Sequence, residues 1–149
     1  MANDLANLHL DRQLCFALHS ASRAVVRAYA PLLDELGLTY PQYLVMLVLW
    51  EDPRATVSVG HLGGRLQLDS GTLTPLLKRL ELAGLVNRHR DEADERRVLI
   101  ALTASGVALR QKARHVPAAI ARKTGLDLAS AKALKADLEH LISALEPGA

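Results

Sequence analysis

The most chemically distinctive residue in this sequence is its single cysteine, Cys15. A thiolate is a nucleophile and a thiol is not, so its reactivity depends on whether the surroundings favour the charged form. A helical pattern opens near Asp11, an N-cap residue type, which sets Cys15 in about the first turn, where the helix dipole favours a thiolate. The neighbours Leu14, Phe16 and Leu18 act the other way, because burial among apolar groups favours the neutral thiol. The ordinary role of a lone cysteine in an apolar helix is inert packing. One cysteine cannot form an intramolecular disulfide. His19 lies one helical turn further on, but two residues do not make a metal site, and His9, His61, His89, His115 and His140 show no ligand spacing. Neither a metal nor a cofactor is expected. A thiol-dependent peroxidase using Cys15 remains an alternative, although nothing in the chain supplies turnover.

A second constellation lies in LDSGTLTPLLKRLELAG. Asp69 or Ser70 can cap a helix there, Leu73, Leu77 and Leu80 form its inward stripe, and Gly84 ends it. The other face carries Ser70, Thr72, Thr74, Lys78 and Arg79, small polar and basic groups of the kind that reach base edges and phosphates in a major groove. LVNRHR and RRVLIALT then read as two strands joined by the turn-forming DEADE, a hairpin whose tip offers Arg88, Arg90, Arg96 and Arg97 to a neighbouring minor groove. Charge alone is a weak guide. The whole chain carries 18 Lys and Arg against 16 Asp and Glu, and Ser70 to Leu99 holds six basic against five acidic residues. A solvated surface explains any one of these arginines equally well, so the arrangement carries the reading.

The elements that must position these groups are mostly helical. The first helix, from Asp11, spaces Leu14, Leu18, Val25, Leu32 and Leu36 at helical intervals, bends at Pro31 and closes at Gly37. PQYLVMLVLWED is apolar on nearly every side and belongs in the core, with Pro53 stopping it. TVSV is a short β-branched run ahead of a glycine-weakened helical piece, VGHLGGRLQ. Thr103 caps a further helix running to about Lys123, and a final helix from about Leu128 aligns Ala131, Leu134, Leu138, Leu141 and Leu145. That order, a helix, a short strand, two helices and a ribbon, is a winged helix-turn-helix: mainly α with a small β-ribbon. The leucine stripe of the last helix requires a partner surface. No stretch of about 18 apolar residues occurs and the start lacks a secretory signal, so a cytoplasmic protein with no membrane span is expected.

LDSGTLTPLLKRLELAGLVNRHRDEADERRVLIALTASG, with its Asp-x-Arg-Arg at Asp94 to Arg97, resembles the recognition helix and wing of MarR-type regulators. Cys15, Tyr29, TYPQYLVMLVLWE and LDSGTLTPLLKRLE together resemble the organic-hydroperoxide regulators of that family, OhrR. The resemblance implies one domain over 1–149, with helices of about 8–40 and 103–146 forming a homodimer and a DNA-binding lobe of about 41–102. It further implies a pseudo-palindromic double-stranded operator, Ser70, Thr72, Lys78 and Arg79 at the major groove, and Arg96 in the minor groove oriented by Asp94. Thr74, Arg90 and Arg97 complete the expected DNA-facing set. It also implies that the hydroxyls of Tyr29 and Tyr40 hold the Cys15 sulfur. Tyr29 is fourteen residues from Cys15, about 21 Å on a straight helix, so the thiol of one subunit must meet the tyrosines of the other. No second cysteine occurs near Gly125 and Leu126, as in the one-cysteine type, so oxidised Cys15 would be capped by a low-molecular-weight thiol or over-oxidised. A repressor responding to a small non-covalent effector is the alternative within the same family.

Overall fold

The computed structural model describes residues 5–148. Two short 3-10 turns, Leu5–Leu8 and Leu10–Arg12, precede α1 (Leu14–Asp34) and α2 (Tyr40–Glu51). There follow β1 (Val57–Ser58), α3 (Val59–Leu66), α4 (Ser70–Leu82), β2 (Val86–Arg90), β3 (Val98–Leu102), α5 (Ala104–Ala113), α6 (Val116–Thr124) and α7 (Leu128–Leu145). The chain divides into two compact units, Met1–Val116 and Pro117–Ala149.

α2 is the centre of the first unit, because a helix apolar all round is stable only when surrounded. Tyr43, Val45, Met46, Val48, Leu49 and Trp50 are buried, and the helix packs against α1, α3, α4 and α5. Its start is fixed locally by a reciprocal cap: the Gln42 amide donates to Thr39 Oγ1, and the Thr39 amide donates to Gln42 Oε1. At its other end Trp50 Nε1 donates to the Gly106 carbonyl at 2.9 Å, which satisfies the indole inside the core.

The expected hairpin forms, and the TVSV run joins it as a third strand. The sheet order is β1-β3-β2, antiparallel throughout, with Ile100 of the central strand opposite both Val57 and Arg88. Ser58 ends β1 and caps α3 by accepting from the His61 amide. The turn into α4 passes through Gln67 in the left-handed region, φ 55°. α4 leaves through Gly84, φ 74°, with the Gly84 amide donating to the Glu81 carbonyl and the Leu85 amide to that of Leu80. Gly106 of α5 lies so close that a Cβ there would sit 2.1 Å from the Leu85 carbonyl oxygen. Thr103 tightens the same junction, donating to the Gly84 carbonyl and accepting from the Gly106 amide.

Two expectations are corrected. Asp11 does not cap α1. It lies in the second 3-10 turn, and Gln13 takes the N-cap position with no side-chain bond to the helix, because its Nε2 donates back to the His9 carbonyl at 2.9 Å. The helix capped by Thr103 does not reach Lys123 in one piece. It stops at Ala113 and α6 begins at Val116. Pro117 is the cause, since within a continuous helix its ring would clash with the Ala113 carbonyl and its missing N–H would leave that carbonyl unpaired. The apolar residues of α1 are only partly covered, with Leu14 66% and Val25 42% exposed and Leu33 buried. In the second unit, α7 begins at Leu128 as expected, with Asp127 accepting from the Ser130 amide, and none of its residues is buried. Among the described residues no helix is long and apolar enough to cross a membrane.

Candidate functional site

α4 presents two faces because leucines recur on one side of it. Leu73, Leu76, Leu77 and Leu80 are buried, which turns Ser70, Thr72, Thr74, Lys78 and Arg79 outward, all exposed. The helix start is held by Asp69, whose Oδ1 accepts the Thr72 amide at 2.7 Å. That bond holds the Asp69 carboxyl below the usual carboxylate range, so a carboxylate caps the helix at neutral pH. The Thr74 hydroxyl donates to the Ser70 carbonyl at 2.7 Å, the usual internal bond of a helical threonine.

Between β2 and β3 the wing tip is tied by its own backbone and acids. The Asp91 amide donates to the Arg97 carbonyl and the Arg97 amide to that of Asp94, both at 2.9 Å. Asp91 Oδ1 accepts the Ala93 amide, and Asp91 Oδ2 lies 3.5 Å from Arg97. Arg90 donates to the Glu95 carbonyl at 2.7 Å. Asp94 Oδ1 accepts from both the backbone amide and Nε of Arg96, at 3.1 and 3.2 Å, yet the Arg96 side chain is 93% exposed. Arg96 is thus held at its backbone amide and Nε and exposed at its tip. Arg88 does not belong to the tip, contrary to expectation. It sits mid-strand in β2, half-buried, paired with Glu81 of α4. Ser70 and Thr74 of α4 share a concave groove of about 420 Å³ with Ser58 and with Arg88, Arg96 and Arg97 of the wing. Glu81 escaped sequence reasoning because its partner depends on how the strand folds back.

The thiol and the tyrosines stand apart. Cys15 is the second residue of α1 and is exposed. Tyr29 lies on the same uninterrupted helix, about four turns on. Its ring meets Tyr40, at the start of α2, with centroids 4.7 Å apart, and Tyr43, one turn into α2, at 5.7 Å. Tyr43 in turn touches Trp50 edge-on at 6.4 Å. Burial, and then the neighbouring Tyr40 and Tyr43 phenols, push the Tyr29 hydroxyl up to about 12, and burial raises those of Tyr40 and Tyr43. All three are therefore protonated at neutral pH and able to donate. Tyr43 went unnoticed in the sequence, although its place one turn after Tyr40 on a buried helix was the available signal. Among the described residues no cluster of three or more His, Cys, Asp or Glu could hold a metal ion.

A capped helix with an outward polar face, seated beside a hairpin whose tip carries a projecting arginine, defines a winged helix-turn-helix DNA-binding protein. Comparison with known proteins narrows the class. The family model described as transcriptional regulator SarA/Rot matches residues 27–113. The organic hydroperoxide resistance transcriptional regulator of Bacillus subtilis (strain 168) is 47% identical over 148 residues, covering 97% of each chain. The HTH-type transcriptional regulator TtmR of Methylorubrum extorquens (strain PA1) is 52% identical over 134 residues, covering 90% of this chain and 66% of that protein. Among solved structures, reduced AbfR bound to DNA is similar with a TM-score of 0.77 and 36% identity, over 98% of this chain and 100% of that one. The chain belongs to the MarR family of transcriptional regulators and is closely related to its OhrR- and AbfR-type redox-sensing members. It is a DNA-binding regulator and not an enzyme.

Proposed function

We propose that this chain is a cytoplasmic homodimeric repressor that releases its operator when an organic hydroperoxide oxidises Cys15. The observation that carries the sensor reading is the separation of an exposed thiol at the start of α1 from Tyr29 near the end of the same helix, where Tyr40 and Tyr43 of α2 pack against it. In a homodimer the Cys15 of one subunit meets Tyr29 and Tyr40 of the other. Each hydroxyl donates to the thiolate, favouring the charged form. The thiolate attacks one peroxide oxygen, the O–O bond breaks, and the alkoxide leaves and takes up a proton as the alcohol. Sulfur is oxidised to the sulfenate and the peroxide is reduced. Protonated to the sulfenic acid, the oxidised cysteine condenses with a low-molecular-weight thiol, releasing water and leaving a mixed disulfide.

On the DNA side, Ser70, Thr72, Thr74, Lys78 and Arg79 face the major groove of each half-site, and Arg96, oriented by Asp94, enters the flanking minor groove. Arg90 and Arg97 stiffen the wing and add positive charge. One similar solved structure is a reduced regulator bound to DNA, another its disulfide-formed state, and a third the overoxidized regulator bound to DNA, so release is assigned here to the mixed disulfide and not to over-oxidation.

A second reading is favoured by one observation, a cavity of about 230 Å³ beside Tyr40, lined by Val26, Ala30, Leu33, Leu38 and Thr39 with Asp34 at its edge. A small apolar effector bound there would act without the thiol. Operator binding by purified wild type and Cys15→Ser, with and without cumene hydroperoxide, separates the two. The oxidation reading requires release by wild type and none by Cys15→Ser. Equal release by both would move the signal to the cavity.

A further inference from the structure

Glu81 stands where two electrostatic rules disfavour it. It occupies the last turn of α4, the negative end of the helix dipole, and it belongs to the helix that must approach a polyanion. Its carboxylate is nevertheless engaged by one residue twice: the Arg88 backbone amide donates to Oε2 at 2.9 Å, and Arg88 Nε donates to Oε1 at 3.2 Å. β2 is an edge strand, bonded to β3 on one side only, and the Arg88 amide is one its ladder leaves over. These bonds hold the Glu81 carboxyl below the usual carboxylate range. Arg88 in turn lines the groove that Ser70 and Thr74 share with Arg96 and Arg97.

We propose that Glu81 is a positioning residue for operator specificity, clamping β2 to α4 so that recognition helix and wing meet the DNA at one fixed separation. This rests on the assignment of α4 and the wing to the two grooves. Non-specific binding needs only positive charge near phosphates and tolerates a loose wing. Specific binding needs both grooves engaged in register, and each freed degree of motion lowers it.

The test uses the reduced full-length dimer, a duplex selected from random sequence by the wild type, and a random duplex of equal length. Glu81→Gln keeps an acceptor for the amide and loses the charge-assisted bond; Glu81→Asp keeps the charge on a shorter arm. For Glu81→Gln the ratio of specific to random affinity should fall about tenfold, with the slope of log affinity against log salt unchanged and the thermal midpoint within a few degrees of wild type. Glu81→Asp should restore part of that ratio, and it gives the reading if Glu81→Gln fails to fold. An unchanged ratio overturns the clamp, and so does an equal loss on both duplexes. A wild type with no preference for its selected duplex would instead overturn the groove assignment itself.

Discussion

The wing arginines share a charge and differ in what holds them. Arg88 is committed to Glu81, Arg90 to the Glu95 carbonyl, and Arg97 to Asp91, while Arg96 is fixed only at Nε and at its backbone amide. Arg96→Ala should therefore weaken operator binding about tenfold and leave the rate of Cys15 oxidation unchanged. A titration of labelled operator checks the first and a thiol assay the second. The phenols give a second prediction at this scale. Tyr29→Phe and Tyr40→Phe should each leave the reduced protein bound to operator and slow release by hydroperoxide. Each change removes a hydroxyl that would donate to the sulfur as it attacks the peroxide. The effect should be about twofold to tenfold for one change and larger for both. Measuring Cys15 pKa, oxidation rate and operator release in the same variants separates a role in reactivity from one in transmission.

Among the elements, α2 connects the tyrosine cluster at its start to the α4–α5 junction at its end. Trp50 makes the second attachment, and its bond to Gly106 lies beside the contacts of Thr103 with Gly84 and of Gly106 with Leu85. Trp50→Phe removes the indole donor, while the Gly106 carbonyl keeps its place in the α5 ladder, so the loss should be about 1 kcal/mol. Gly106→Ala forces a methyl against the Leu85 carbonyl and should cost more, about 3 kcal/mol or above. Chemical denaturation at fixed protein concentration measures both. Trp50 is also the only tryptophan of the chain, so its emission reports directly on this junction.

At the scale of the whole molecule, each of the two units carries apolar side chains open to solvent. Leu128, Leu134, Ile142 and Leu145 of α7 and Leu14, Phe16, Val25 and Val26 of α1 are each at least 40% exposed, an extent that a lone soluble chain rarely tolerates. A homodimer covers such surface and ties folding stability to concentration. Leu134→Glu places a charge on the apolar side of α7 and should shift sedimentation from dimer towards monomer. It should also reduce operator affinity by about a hundredfold or more, since a monomer holds one half-site without the gain from linkage to a second. The thermal midpoint of the wild type should rise with protein concentration, and that of Leu134→Glu should rise less.

Much of this protein was legible in short stretches of sequence, because the signals act over a few residues. The buried character of α2, the Asp69 cap and leucine stripe of α4, the Thr103 cap of α5 and the charged turn of the wing all follow from helical spacing, capping chemistry and turn residues. Pro117 was legible too, although the periodicity running through it pointed to one helix. Other features required the chain to fold back on itself. The Val57–Ser58 run became a third strand only because β3 lay beside it. Tyr43 joined Tyr29 because α1 and α2 cross there, and Arg88 left the tip for Glu81 because β2 returns along α4. Spacing along the chain decides which face of an element is apolar or charged. Pairing between elements depends on topology, which places residues far apart in sequence within a few ångströms of each other, and no local pattern encodes that distance.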